Sequence, residues 1–297
     1  MGMFPYAVKA HPDFGEVVNS LHWYGSHGGC LLAPGSPQGT RWALLEKFAH
    51  RARTPQTLCA TVILTHAEQE RVSAYRKALS PECEDHRIGQ VSTLPDAGPS
   101  LRDRLLKSYS QKTRNLVRKG LKQGFVIETR TNDLAWTFLE REHALGMEAL
   151  GGSAKPHGHF QAMRDIFGDA GRLWLALDDG DPVAALFLLE HHDTLEYLVP
   201  VVRASHRSRQ PLSALILAAQ EDAVQRGIRL WNWGGSGHGG NSLHHFKAGF
   251  GAVDKRYSYL TVLGPNTLVA APEMLEKWQE AFAWYYLFPF AALEVRT

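Results

Sequence analysis

The chain has 297 residues, 44% of them hydrophobic and 21% charged, with a formal net charge of +2. This excludes global disorder and allows one large domain or two lobes of about 100–200 residues each. Three widely spaced cysteines, Cys30, Cys59 and Cys83, form no C-x-x-C pair. They argue against a disulfide framework or a zinc ribbon and for a reducing, cytoplasmic setting. Residues 1–14 lack the apolar core of a signal peptide, and no apolar run reaches the ~18–20 residues of a membrane span. A soluble protein without stable membrane insertion is expected.

In chain order, Ser20 to Tyr24 leads into the turn Gly25-Ser26-His27-Gly28-Gly29. Trp42, Leu45, Phe48 and Ala52 recur at the spacing of one helical face, so Arg41 to Arg53 is expected to be a helix. Leu58 to Leu64 is short, apolar and β-branched, which predicts a buried strand. Glu68 to Leu79 reads as a second helix, and the segment around Val91 to Gly98 as a strand entering a Pro/Gly linker. From Leu101 a helix is predicted to Leu121, closed by Gly124. Phe125 to Thr129 reads as a strand, and Asp133 as the N-cap of a helix through Leu145. A loop over Gly151 to Gly158 and a helix over Phe160 to Phe167 follow.

Three apolar runs come next, Leu173 to Leu177, Val183 to Leu189 and Thr194 to Val199. The turn residues Asp178-Asp179-Gly180-Asp181 and His191-His192-Asp193 separate them, so a meander of hairpins is expected. Pro211 suits the first position of the helix marked by Leu212, Leu215, Ile216, Ala219 and Ala223, which Gly227 closes. A strand over Ile228 to Trp233, a helix over Ser242 to Phe250 and a strand over Tyr257 to Leu263 complete the order. The fold class is therefore α+β. Residues 1–99 and 100–297 are taken as two lobes, the second ending in an aromatic helix with Trp278, Phe282, Trp284 and Phe288.

Five of the seven residues from Gly234 to Gly240 are glycine, a large conformational entropy for a casual loop. Gly235, Gly237 and Gly240 satisfy G-x-G-x-x-G between a strand and a helix, but no βαβαβ half follows. A dinucleotide fingerprint, a plain connecting loop and a site loop are the three readings. Glycines let a substrate approach the backbone, whose free N–H groups can hold a phosphate or an oxyanion. Phe246-Lys247 follows on the next helix. Lys247 is either a surface lysine covering apolar groups with its stem or a sheltered ammonium aimed at developing negative charge.

Two segments carry a family resemblance. Ser110-Gln111-Lys112-Thr113-Arg114-Asn115-Leu116-Val117-Arg118-Lys119-Gly120 is a basic helix running to Gly124-Phe125. Trp231-Asn232-Trp233-Gly234-Gly235 is followed by Ser242-Leu243-His244-His245-Phe246-Lys247-Ala248-Gly249-Phe250-Gly251. Together they resemble the Fem-type (FemABX) aminoacyltransferases of the GNAT superfamily. The resemblance implies two GNAT-like lobes, each a mixed, mostly antiparallel sheet flanked by helices. It implies aminoacyl-tRNA as donor, an acceptor amine and no permanently bound cofactor; no metal site is expected either, because His157-Gly158-His159, His191-His192 and His244-His245 form no H-E-x-x-H and adjacent histidines on a strand point to opposite faces. It places Lys247 at the reaction centre, with Trp233, Gly234, Gly235, Ser242 and Phe246 against substrate. Tyr24 and Ser26 of the first glycine turn are expected to join them, and His27 and His238 to be candidate proton acceptors.

Eight cations fall between Arg102 and Lys122 with one acid, Asp103. Lys112, Arg114, Arg118 and Lys119 form either a solvated face or a contact to the tRNA backbone. Arg207 and Arg209 precede the helix at Pro211, whose N-terminus faces the acyl-CoA pyrophosphate in a GNAT lobe. The usual glycine-rich loop is missing there, since Ser208, Gln210 and Pro211 stand in its place. An acyl-CoA-dependent N-acyltransferase and a non-catalytic RNA- or glycan-binding module are the alternatives.

Overall fold

The structure, a computed structural model, describes residues 1–21, 28–37, 39–237, 239–265, 267 and 273–289. These gather into two compact units. The first comprises residues 1–89, 235–239 and 255–297, and the second residues 90–234 and 240–254.

The first unit opens with β1 (Gly2–Met3), β2 (Ala7–His11), β3 (Gly15–Asn19) and β4 (Leu31–Leu32). The helix α1 (Gly39–Ala52) precedes β5 (Thr57–Leu64), which is buried along its whole length. The expected second helix begins as a 3-10 turn over His66–Arg71 and becomes α-helical only at α2 (Val72–Leu79). Thr65 accounts for that start, because its side chain accepts the N–H of Ala67. The strand β6 (Cys83–Thr93) begins eight residues before the predicted Val91 and ends before the Pro/Gly linker.

In the second unit the helix expected from Leu101 is two helices, α3 (Leu101–Ser108) and α4 (Gln111–Leu121). Tyr109 is extended, and Ser110 caps α4 by accepting the N–H of Thr113. The strand β7 (Val126–Thr129) leads to α5 (Asp133–Ala149). Asn132 rather than Asp133 is the N-cap, with Oδ1 accepting from the Ala135 N–H at 3.1 Å. Next come α6 (His157–Phe167), β8 (Gly171–Asp178), β9 (Asp181–His191) and β10 (Thr194–Val202). The turn between β8 and β9 uses positive φ at Asp179 and Gly180, as a tight hairpin requires. Then α7 (Pro211–Gln225), β11 (Leu230–Gly235) and α8 (Ser242–Gly249) complete the second unit. The chain passes through β12 (Val253–Leu263) to α9 (Glu273–Ala281) in the first unit.

Strands of the first unit run in the order β2-β3-β5-β12-β6. Within it β3 and β5 are parallel, and β2–β3 and β5–β12 are antiparallel. Val18, Val62 and Leu64 face α1 and α2 on one side. Val17, Leu58 and Leu263 pack with Trp278, Phe282 and Phe288 on the other. The aromatic C-terminal segment is thus core, as far as it is described.

The second unit's strands run β11-β10-β9-β8-β7. Strands β8, β9 and β10 form the expected antiparallel meander, β7 adds to β8 antiparallel, and β10 and β11 are parallel. Both faces are covered, which explains the near-continuous apolar runs. Leu173, Leu175 and Leu177 pack toward Trp136, Phe138 and Phe160 of α5 and α6. Trp174 and Ala176 point the other way, into the cluster with Leu215, Ile216, Trp231 and Trp233.

Candidate active site

The pairing of β10 with β11 covers Thr194↔Leu230 through Glu196↔Asn232. Beyond that pair the two strands are not paired with each other among the described residues, and a bulge between Tyr197 and Val199 bends β10. The strands thus part beside Gly234. At Gly234 the backbone enters the left-handed region, φ 69°, which glycine adopts without a side-chain clash.

Lys247 stands on α8, 3% exposed, with Nζ donating to the Gly234 carbonyl at 3.4 Å. Burial pushes its ammonium from the ordinary 10.5 down to about 8. At pH 7 it remains roughly nine-tenths protonated. This is a sheltered ammonium, not a surface lysine.

Local sequence explains the placement of α8. Asn241 caps it, accepting the His244 N–H at 2.8 Å. Ser110, the cap of α4, donates its own N–H to the Gly249 carbonyl at 2.8 Å. A Cβ on Gly249 would lie 2.4 Å from Thr113 Oγ1, so this close approach of α8 to α4 needs glycine. Below, the Trp233 indole donates to Ser92 Oγ at 2.8 Å and packs at a tilt against the rings of Tyr197 and Phe250.

The predicted residues fall into several places. Gly234 and Lys247 meet directly, and Phe246 lies half-buried between Trp233 and Phe250. Trp233 is 1% exposed and belongs to the core below the site. Gly235 is exposed at the end of β11, and Ser242 is exposed at the start of α8. Tyr24, Ser26, His27 and His238 lie outside the described residues. Two residues that sequence reasoning did not single out, Glu196 and Asn232, complete the arrangement. Asn232 Nδ2 donates to Glu196 Oε1 at 3.1 Å, and Asn232 Oδ1 accepts the Gly234 N–H at 2.9 Å.

The basic residues divide as well. Lys112, Arg118, Lys119 and Lys122 are exposed, and none makes an ion pair among the described residues. Arg114 turns back onto its own helix, donating to the Tyr109 carbonyl and to Gln111. Arg207 is exposed, whereas Arg209 holds Asp178 through two nitrogens and Gln123 at 2.9 Å. Among the described residues no group of three or more His, Cys, Asp or Glu side chains gathers as a metal site. No helix among them is long and apolar enough to cross a membrane.

This geometry meets known proteins as follows. Residues 107–248 match the family model described as an acetyltransferase (GNAT) domain. The crystal structure of FemX is similar with a TM-score of 0.64 and 13% identity, over 86% of this chain and 83% of that one. The structure of L-PGS from Bacillus licheniformis is similar with a TM-score of 0.56 and 12% identity, over 90% of this chain and 82% of that one. No curated protein matches by sequence. At these identities the two structures speak for a shared fold.

Proposed function

We propose that this chain, a GNAT-type acyltransferase with the fold of FemX, moves an aminoacyl group from aminoacyl-tRNA to an acceptor amine and forms an amide bond. The observation that carries the proposal is Lys247, a buried ammonium beside the point where β10 and β11 part.

The chemistry follows from that placement. The neutral acceptor amine attacks the carbonyl carbon of the donor ester, and the carbonyl oxygen becomes an oxyanion. The Lys247 ammonium offers positive charge where that oxygen develops, in a site that water reaches poorly. The C–O bond then breaks, the ribose oxygen leaves with a proton, and the amine nitrogen gives up one proton to reach the amide. No covalent intermediate on the enzyme is required, so the protein's share is positioning and charge stabilisation. Tyr24, Ser26 and Ser242 are assigned to substrate, and His27 or His238 to the proton from the amine.

The exposed cations of α4 support a nucleic-acid donor. Thr113, Val117 and Gly120 bury one face of that helix, leaving Lys112, Arg118, Lys119 and Lys122 for phosphates. The α7 N-terminus gives less support to acyl-CoA, because Arg209 is engaged by Asp178 and Pro211 offers no N–H. The acceptor class is an amine of a cell-wall precursor, an amino sugar or a small metabolite.

Incubation with a panel of charged tRNAs and acyl-CoAs, each with candidate amines, tests the donor. Product formation that RNase abolishes supports the proposal. Product from acyl-CoA alone replaces it with an N-acyltransferase, and RNA binding without turnover replaces it with a binding module.

A further inference from the structure

We infer that Asn232 is a positioning residue for acyl transfer, which together with Glu196 anchors the Gly234 N–H and so fixes the turn from which the Gly234 carbonyl holds the Lys247 ammonium. The inference rests on the reading of Lys247 as the charge at the reaction centre.

Asn232 is 2% exposed and sits between Trp231 and Trp233 on β11. The alternation of a strand sends both tryptophans into the core and Asn232 to the opposite face. An amide buried there is destabilising unless its donor and acceptor are both used. Here both are. Its Nδ2 meets the Glu196 carboxylate at 3.1 Å and its Oδ1 meets the Gly234 N–H at 2.9 Å. A carboxylate accepts and a backbone N–H donates, so these two partners permit only one orientation of the amide.

The register makes the arrangement rigid. Glu196 and Asn232 are the last residue pair of the parallel β10–β11 ladder. Two residues on, where the chain leaves the ladder, the Asn232 side chain is the acceptor that holds Gly234 in its left-handed conformation. The Gly234 carbonyl then points at Lys247 Nζ, 3.4 Å away. Four residues on two strands and a helix thus form one hydrogen-bonded chain, Glu196 to Asn232 to Gly234 to Lys247.

Three substitutions in the full-length protein test this. Lys247 is titrated without substrate, by pH-dependent acetic anhydride labelling read by peptide mass spectrometry, and kcat and KM are measured alongside. For Asn232→Ala the expectation is a fall in kcat of about 10- to 100-fold, with KM changed less than about threefold, because misplacement acts on the transition state. The Lys247 titration midpoint should rise as water enters beside it. Glu196→Gln still accepts from Asn232 and should lose far less than Glu196→Ala, which should behave like Asn232→Ala. An unchanged kcat and midpoint in Asn232→Ala overturns the inference. So does a Glu196→Gln variant as damaged as Glu196→Ala, since the carboxylate's charge and not its hydrogen bond would then matter. If Asn232→Ala does not fold, the Glu196 pair carries the test alone. Full turnover by Lys247→Ala would instead overturn the reading on which the inference rests.

Discussion

Each unit of the molecule draws a cation inward, Arg41 half-buried in the first and Lys247 buried in the second, and the two are treated differently. In the first unit Arg41 donates to Glu68 at 2.5 Å and to the Tyr75 hydroxyl at 2.9 Å. Tyr75 is itself fully buried, donates to Glu68 at 3.1 Å and accepts the Cys30 N–H at 3.0 Å. Burial pulls the Arg41 pKa down, but Tyr75 and Glu68 more than reverse it and leave it above the ordinary value. In the second unit burial prevails at Lys247 and leaves its pKa near 8. The lesson is that partners offset the cost of taking Arg41 out of water, whereas at Lys247 that cost shows as a lowered pKa, the kind of perturbation that marks a candidate site.

That contrast can be broken in several ways. Glu68→Ala leaves Arg41 in place with its carboxylate gone, and should destabilise the protein by about 1–3 kcal/mol while sparing turnover per folded molecule. Denaturant melts paired with active-site titration measure it, and a loss of kcat without a loss of stability would reverse the roles assigned to the two cations. Lys247→Ala should do the opposite, lowering kcat about 10²- to 10³-fold, or roughly 3–4 kcal/mol of barrier, with no loss of stability.

A smaller effect sharpens the same point. The folded pKa of Lys247 lies below its unfolded value, so between about 8 and 10.5 the unfolded chain binds more protons and stability rises with pH. Lys247→Met should therefore be more stable than the parent at pH 7, by roughly 1–3 kcal/mol, and the gap should close by pH 10. Equal stability at both pH values would show that the ammonium is not held against its solvation. Smallest of all, Lys112→Ala or Lys119→Ala should leave stability within about 0.5 kcal/mol of the parent. Each should reduce the slope of log affinity for tRNA against log salt by about 1. An unchanged slope would remove α4 from the donor contact.

Much of the second unit was legible in the sequence because its signals are local. Asp179-Gly180 announces a hairpin, Pro211 opens α7, and Phe246-Lys247 lies on a helix that Asn241 caps. The break between α3 and α4 was less visible, since Tyr109-Ser110 contains neither glycine nor proline and only the Ser110 cap marks it. The strands β2 and β3 were missed because each has only five residues: Ala7–His11 carries Lys9, His11 and two alanines, and Gly15–Asn19 has only Val17-Val18 as a β-branched run. In the candidate site, Lys247 was singled out from its aromatic setting and is buried against Gly234, whereas Asn232 and Glu196 were not singled out. They lie 36 residues apart and meet only through parallel strand register, which no local spacing encodes.

The most direct test of the account is the ratio of wild-type to Lys247→Met turnover across pH 6 to 10, with the donor and amine that the panel identifies. The acceptor amine titrates equally in both proteins, so the ratio isolates Lys247. The account predicts a constant ratio well below pH 8 and a fall approaching tenfold per pH unit above it, as the ammonium loses its proton. A ratio that stays flat over the whole range, or that equals one, would contradict the claim that the charge of Lys247 drives the transfer.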